Sequence, residues 1–275
     1  MEGIVLRTGE GEAITMRDDR SVVVKLDLEQ IGMTEAWYGS QQPGASPHIH
    51  RAHADSFYVL DGELTFFTAT GTMTAPTGAV FLAPPNVVHG FANEREAEAR
   101  YLNFHTPDRR FIESLRRRRD PSTYDPAQYD TFEPSPDAPL GATVSMRGDG
   151  DRLEAETRTA TVKIEREELA IVEFELDPGF EGPKPHIHKR HVDTFYVLDG
   201  EPEFRAGDEI LHGAPGMLVA APTGVVHSFG NPLPAPARLV NVHAPSCDFR
   251  EYLHVMQDVD LDEATRAKYD LYEVE

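Results

Sequence analysis

The chain has 275 residues, enough for one large domain or two of ordinary size, each able to bury a core without disulfides. Its 26 basic residues against 47 acidic ones leave a formal charge of −21, which opposes binding to phosphate backbones and to anionic lipid. One cysteine, Cys247, excludes an intrachain disulfide, and no run reaches the roughly 20 apolar residues of a membrane span, so a cytoplasmic protein without nucleic-acid or membrane partners is expected.

In chain order, the first residues, MEGIVLRTGEGEA, lack the charged-then-apolar build of a secretion signal. SVVVKL at 21–26 is the first β-rich run, and TFFTATG and AVFLAP follow, each bounded by Gly, Pro, Asn or Asp turns. Between them lies HIHRAHADSFYVLDGE at 48–63, where Gly62 occupies a tight turn that needs positive φ. After LNFH comes TPDRRFIESLRRR, read as a short helix outside the sheets, with Asp108 as N-cap and Phe111 and Leu115 as anchors on one face. The basic cluster Arg116 to Arg119 reads first as a solvated helix end. Pro121, Pro126, Pro134, Pro136 and Pro139 then exclude a long helix or a central strand.

Beyond this stretch the pattern begins again. HIHKRHVDTFYVLDGE at 186–201 matches the earlier segment at 12 of 16 positions, offset by 186 − 48 = 138. The same offset pairs Lys25 with Lys163, Glu35 with Glu173, His89 with His227, His105 with His243 and Asp108 with Ser246, both N-cap types at the start of their helices. AQYDTFE at 127–133 returns as AKYDLYE at 267–273, now offset by 140. The chain is a tandem duplication, and domains of 1–139 and 140–275 are expected. ATVKI, LAIVEFEL and MLVAAP are strands of the second copy, and Phe249 with Leu253 anchors its helix.

Residues two apart in a strand face one side, so His48 with His50, and His186 with His188, project together into the barrel. An isolated H-x-H is a weak sign of metal. Here it sits in a larger pattern: His48, His50, Asp55, Gly62, then Gly78, Pro84, Asn86, His89 and Asn93. The second copy has His186, His188, Asp193, Gly200, then Gly216, Pro222, Gly224, His227 and Asn231. At these residues the sequence resembles the cupin superfamily, and the paired motifs resemble a bicupin over nearly the whole chain.

The resemblance implies an all-β fold with a few short helices, formed as two tandem cupin jelly-roll β-barrels. It also implies one divalent metal per domain, held by His48, His50, Asp55 and His89 in the first and by His186, His188, Asp193 and His227 in the second. The acid is usually glutamate in this family. Aspartate reaches roughly 1.3–1.5 Å less, a large part of a metal–oxygen bond. Asp55 and Asp193 are therefore read as ligands, as acid–base groups beside the ligands, or as turn carboxylates. His53 and His191 are auxiliary ligands, hydrogen-bond partners of those acids, or exposed turn residues. His105 and His243 are pocket lining or strand-end packing, and His212 and His254 are assigned no chemistry. Cys247 reads as a small residue near a helix start.

Nitrogen and oxygen ligands with open positions suit Fe, Mn, Ni, Co, Cu or Zn at a catalytic site. The functional expectation is a dioxygenase, similar to quercetinase-like cupins, acting on a small enolic or phenolic chelating substrate with Asp55 or Asp193 taking a proton. The alternatives are a cupin isomerase, epimerase or decarboxylase, or a non-catalytic small-molecule-binding protein. A homo-oligomer is compatible with all of them. Replacement of Phe67 by Arg205 and Thr70 by Asp208 would make the second pocket more polar if these side chains face inward.

Overall fold

The computed structural model describes residues 2–118, 122–135, 137–256 and 261–274. Arg119, Pro121 and Pro136 lie outside the described residues. The chain divides into two compact units, one of Gly11–Asp149 and one of Met1–Glu10 with Gly150–Glu275.

In the first unit a seven-stranded antiparallel sheet runs in the order Thr143–Ser145, Val80–Ala83, Ala54–Asp61, Ala99–Thr106, Ile31–Tyr38, Arg20–Leu28 and Glu12–Arg17. Facing it is a three-stranded sheet of Gly71–Pro76, Glu63–Thr68 and His89–Ala92. Alternate residues of each strand turn inward. On one strand these are Asp55, Phe57 and Val59; on its neighbour they are His105, Asn103 and Tyr101, with His105 opposite Asp55 and Asn103 opposite Phe57. The interior thus has an apolar end and a polar end. At the apolar end Phe66 of the small sheet stacks on Phe81 of the large one, centroids 3.8 Å apart, and Phe57 meets Phe66 edge-on.

The second unit repeats this with a sheet of Ile4–Leu6, Leu218–Ala221, Val192–Asp199, Ala237–Ala244, Leu169–Leu176, Arg158–Arg166 and Asp151–Glu154. Its smaller sheet comprises Glu209–His212, Glu203–Ala206, His227–Gly230, His186–Ile187 and Tyr272–Glu273. Asp193, Phe195 and Val197 point inward, as do His243, Asn241 and Leu239 on the strand beside them. The paired edge strands are exchanged between repeats. Ile4–Leu6 joins the sheet built on the second repeat, and Thr143–Ser145, its counterpart, joins the sheet built on the first.

These antiparallel sheets are the expected all-β class. Gly62 and Gly200 have φ of 75° and 77°, and a Cβ on Gly62 would come within 2.2 Å of the Glu98 carbonyl oxygen. No helix among the described residues is long and apolar enough to cross a membrane. Phe111–Arg117 and Phe249–Val255 are the expected short helices, and Glu263–Lys268 is a further one.

Three local expectations are corrected. The helix N-caps are Arg110 and Asp248, both in the left-handed region, rather than Asp108 and Ser246. Asp108 still accepts the Phe111 N–H at 2.7 Å from outside the helix, and Ser246 Oγ accepts the Asp248 N–H. The first H-x-H is not part of a regular strand: His48 and His89 form an isolated bridge, while His186–Ile187 is a strand of two residues. Arg116 is not merely solvated, because it pairs with Glu12 and Asp27.

Candidate metal centres

Backbone pairing brings the two motifs together. His48 and His89 exchange backbone hydrogen bonds of 2.8 and 3.0 Å, and His186 lies opposite His227 in the second unit. A short loop then carries His50 and His188 to the same point, and the inward-facing Asp55 and Asp193 close it from the large sheet. The ligand-type atoms of His48, His50, Asp55 and His89 lie within 4.8 Å of one another, as do those of His186, His188, Asp193 and His227.

Each imidazole is held from behind. His48 Nδ1 donates to the Ser46 carbonyl at 2.7 Å, His50 Nδ1 to the Asp130 carbonyl at 2.8 Å and His89 Nδ1 to the Val87 carbonyl at 2.9 Å. In the second unit His186, His188 and His227 donate in the same way to Lys184, Asp270 and Val225. A carbonyl can only accept, so each Nδ1 carries a proton, and in the neutral ring Nε2 is the lone-pair atom that faces the cluster. His48 Nε2 and His50 Nε2 are 3.2 Å apart, and His188 Nε2 is buried without a hydrogen-bond partner. Nitrogens brought this close need a proton or a metal cation between them.

The aspartates complete the sets. Asp55 Oδ2 is 3.2 Å from His89 Nε2 and 3.9 Å from His50 Nε2; Asp193 Oδ2 is 3.2 and 3.8 Å from His227 and His188. The shorter side chain reaches because its strand lies close to the histidines. The other oxygen is steered by an asparagine: Asn103 Nδ2 donates to Asp55 Oδ1, and Asn241 Nδ2 to Asp193 Oδ1.

Burial pushes His48 down to about 4, with the neighbouring His89 adding to the effect, and burial likewise drives His50 and His186 well below the usual histidine range. Burial alone would raise the Asp193 carboxyl, but His243, His188 and His227 around it hold it well below the carboxylate range. These directions favour neutral rings at His48, His50 and His186 and an ionised Asp193, the states in which such side chains bind a divalent cation. The donor set fits such an ion, so these two His/Asp clusters, one in each unit, could each hold a metal.

His53 and His191 are neither exposed nor bonded to the ligand-type aspartates. They are fully buried, and their Nδ1 atoms donate to Asp130 Oδ2 at 2.8 Å and Asp270 Oδ2 at 2.9 Å. These two aspartates went unrecognised as site residues, although AQYD and AKYD repeat. Asp130 also accepts the Arg51 and Ala52 N–H groups, and Asp270 those of Lys189 and Arg190. Each thereby pins the loop that carries H-x-H. His53 continues to His105 Nδ1 at 2.8 Å, whereas neither ring nitrogen of His243 has a hydrogen-bond partner. Cys247 lies near His191 and Asp270, but burial pushes its thiol up to about 11, as an inert residue requires.

Each cluster opens into a cavity, of about 120 Å³ in the first unit and about 130 Å³ in the second. His105 and His243 line these cavities, each stacked on a helix phenylalanine, Phe111 or Phe249, and Leu115 and Leu253 line them too. Phe67 and Arg205 do not, and Thr70 and Asp208 are exposed, so the expected source of a polarity difference is wrong. The difference runs the other way: Tyr38, Tyr101 and Arg118 of the first unit correspond to Leu176, Leu239 and Met256 of the second.

A cupin domain profile matches residues 38–105 and 172–243. No curated protein matches the chain by sequence. Among solved structures, a Pseudomonas aeruginosa protein described as glyoxylate induced superposes with a TM-score of 0.65 at 13% identity, covering 88% of each chain. Oxalate decarboxylase from Bacillus subtilis gives 0.61 at 11% identity, covering 100% of this chain and 90% of its own. AerE from Microcystis aeruginosa gives 0.60 at 14% identity over 88% of this chain and 98% of its own. These similarities establish the shared fold.

Proposed function

The chain belongs to the cupin family, and on that premise we propose that it is a metal-dependent bicupin enzyme whose substrate is a small, metal-chelating oxyanion. The observation that carries this reading is the convergence of three Nε2 atoms and one carboxylate oxygen at the wall of a cavity, with every imidazole fixed from behind. An ion held by these four side chains would keep coordination positions open for substrate or oxygen if it prefers more than four ligands. A bound divalent ion would supply Lewis acidity and, if redox-active, a route for electrons to dioxygen.

The residues divide the remaining work. His48, His50 and His89, and their counterparts His186, His188 and His227, would hold the ion. Asp55 and Asp193 would serve as fourth ligands, and from the same place the carboxylate can accept a hydroxyl proton from a substrate entering beside it. Asn103 and Asn241 keep that carboxylate turned toward the histidines. Phe111 and Phe249 cover the inner histidines and limit water. Dioxygenation of an enolic or phenolic substrate is the reaction proposed. A second reading, decarboxylation without oxygen, draws support from an arginine in each cavity, Arg20 and Arg158, which suits a carboxylate substrate.

Oxygen uptake by Fe-, Mn- or Ni-loaded protein supplied with enols, catechols and flavonols tests the choice. Uptake with at least one metal, and none in metal-free protein, is expected. Carbon dioxide release from small keto or dicarboxylic acids without oxygen uptake would replace dioxygenation by decarboxylation. Turnover with neither substrate set would sink both.

A further inference from the structure

The two cavity arginines are repeat counterparts, 20 + 138 = 158, but their surroundings differ. Arg20 is partly exposed and donates to Tyr38 Oη at 3.4 Å and to the Pro43 carbonyl at 3.2 Å. Arg158 is 8% exposed. Leu176 stands where Tyr38 would offer an oxygen. The one hydrogen bond Arg158 makes among the described residues runs from Nη1 to Met256 Sδ at 3.8 Å, and its Nε is buried without a partner. Its guanidinium lies over Phe174, 5.8 Å from the ring centroid.

A nearly buried guanidinium facing a thioether and a ring, with the Tyr252 phenol in the same cavity wall, makes no hydrogen bond to an oxygen among the described residues, where buried arginine normally has such acceptors. Burial presses its pKa down, but arginine stays protonated at neutral pH. The charge therefore persists and no acid among the described residues answers it. Around it the cavity is apolar, with Phe180, Phe229, Phe249 and Leu253 in its wall and the cluster of His186, His188 and Asp193 in the same lining.

We propose that Arg158 anchors the carboxylate of a ligand with an apolar body, held in the second unit's cavity with its other polar end toward the histidine cluster. The planar fork of the guanidinium matches a carboxylate in two parallel hydrogen bonds, and the aromatic wall takes the hydrocarbon. The first cavity, with Arg20 already satisfied by Tyr38, discriminates less by charge. This proposal rests on the metal reading only for the orientation of the ligand.

The test uses the full-length protein, metal-free and metal-loaded, with phenylacetate and the neutral phenylacetamide as probes in calorimetric titrations. The His89→Ala variant is included so that the remaining metal belongs to the second unit. Phenylacetate should bind at least tenfold tighter than phenylacetamide. Arg158→Met should remove that preference while keeping the metal and the unfolding temperature, and Arg158→Lys should keep part of it. Equal binding of acid and amide, or an unchanged preference in Arg158→Met, would overturn the proposal. If Arg158→Met proves poorly folded, the lysine variant takes its place, and a preference unchanged from that of the parent protein would overturn the proposal. Absence of metal from the His89→Ala protein would sink the metal reading alone, since the acid–amide comparison is also made without metal.

Discussion

Saturating reconstitution followed by elemental analysis is expected to give two metal ions per chain, one per cluster, one in His89→Ala or His227→Ala, and none when both are changed. His89 joins His48 through the backbone bridge and faces Asp55 through Nε2, so alanine removes one ligand and opens the set on the small-sheet side. Loss of an outer partner that merely orients a ligand costs roughly 10–100-fold in metal affinity, and loss of a ligand itself costs more. Turnover should fall to background in whichever variant empties the active unit. Less than one ion per chain in the unaltered protein after saturation would show that the clusters are hydrogen-bonded networks and not metal centres.

Asp270→Asn should cost about 3–5 kcal/mol of unfolding free energy in the second unit, the range found when one partner of a buried charged network is removed. Asp270 is fully buried, accepts the Lys189 and Arg190 N–H groups and His191 Nδ1, and offers its own carbonyl to His188. Burial opposes its charge, yet these donors hold its pKa below the carboxylate range. Asparagine tolerates the left-handed backbone at this position, φ 61°, so the change isolates the charge and hydrogen bonds. Asp130→Asn should cost less, because that side chain is 13% exposed and water can replace part of what is lost. The second site should also lose roughly 10–100-fold in metal affinity through the freed loop. Urea denaturation and metal titration read both; a loss under 1 kcal/mol would refute the role given to Asp270.

Much of this was legible in the sequence because it repeats with local spacing. The H-x-H pairs, the acid five residues after the second histidine and the distant His89 and His227 carry their spacing in the chain. The doubt over aspartate could not be settled that way, since side-chain reach depends on how near one strand lies to another. Asp130 and Asp270 were hidden for a related reason: they arrive from the far end of each repeat, 80 and 82 residues beyond the histidines they orient. Asn103 and Asn241 were readable in LNFH and VNVH only once strand register set them opposite Phe57 and Phe195. The helix caps were misplaced because Arg110 and Asp248 take left-handed conformations that their residue types do not announce. The pocket contrast is expected at Phe67 and Arg205, but the cavity walls are built from the large sheet, the outer helices, the loops around H-x-H, and Phe91 or Phe229 of the small sheet.

The exchanged strands Ile4–Leu6 and Thr143–Ser145 bear on how such a gene could be divided or inherited. A cut at 139/140 would give two half-chains, each carrying the edge strand of the other's sheet. Neither half-gene encodes a complete seven-stranded sheet. Co-expressed, the halves would recover their full sheets only by meeting and trading arms, which makes the duplicated chain one heritable unit despite its two metal-type clusters.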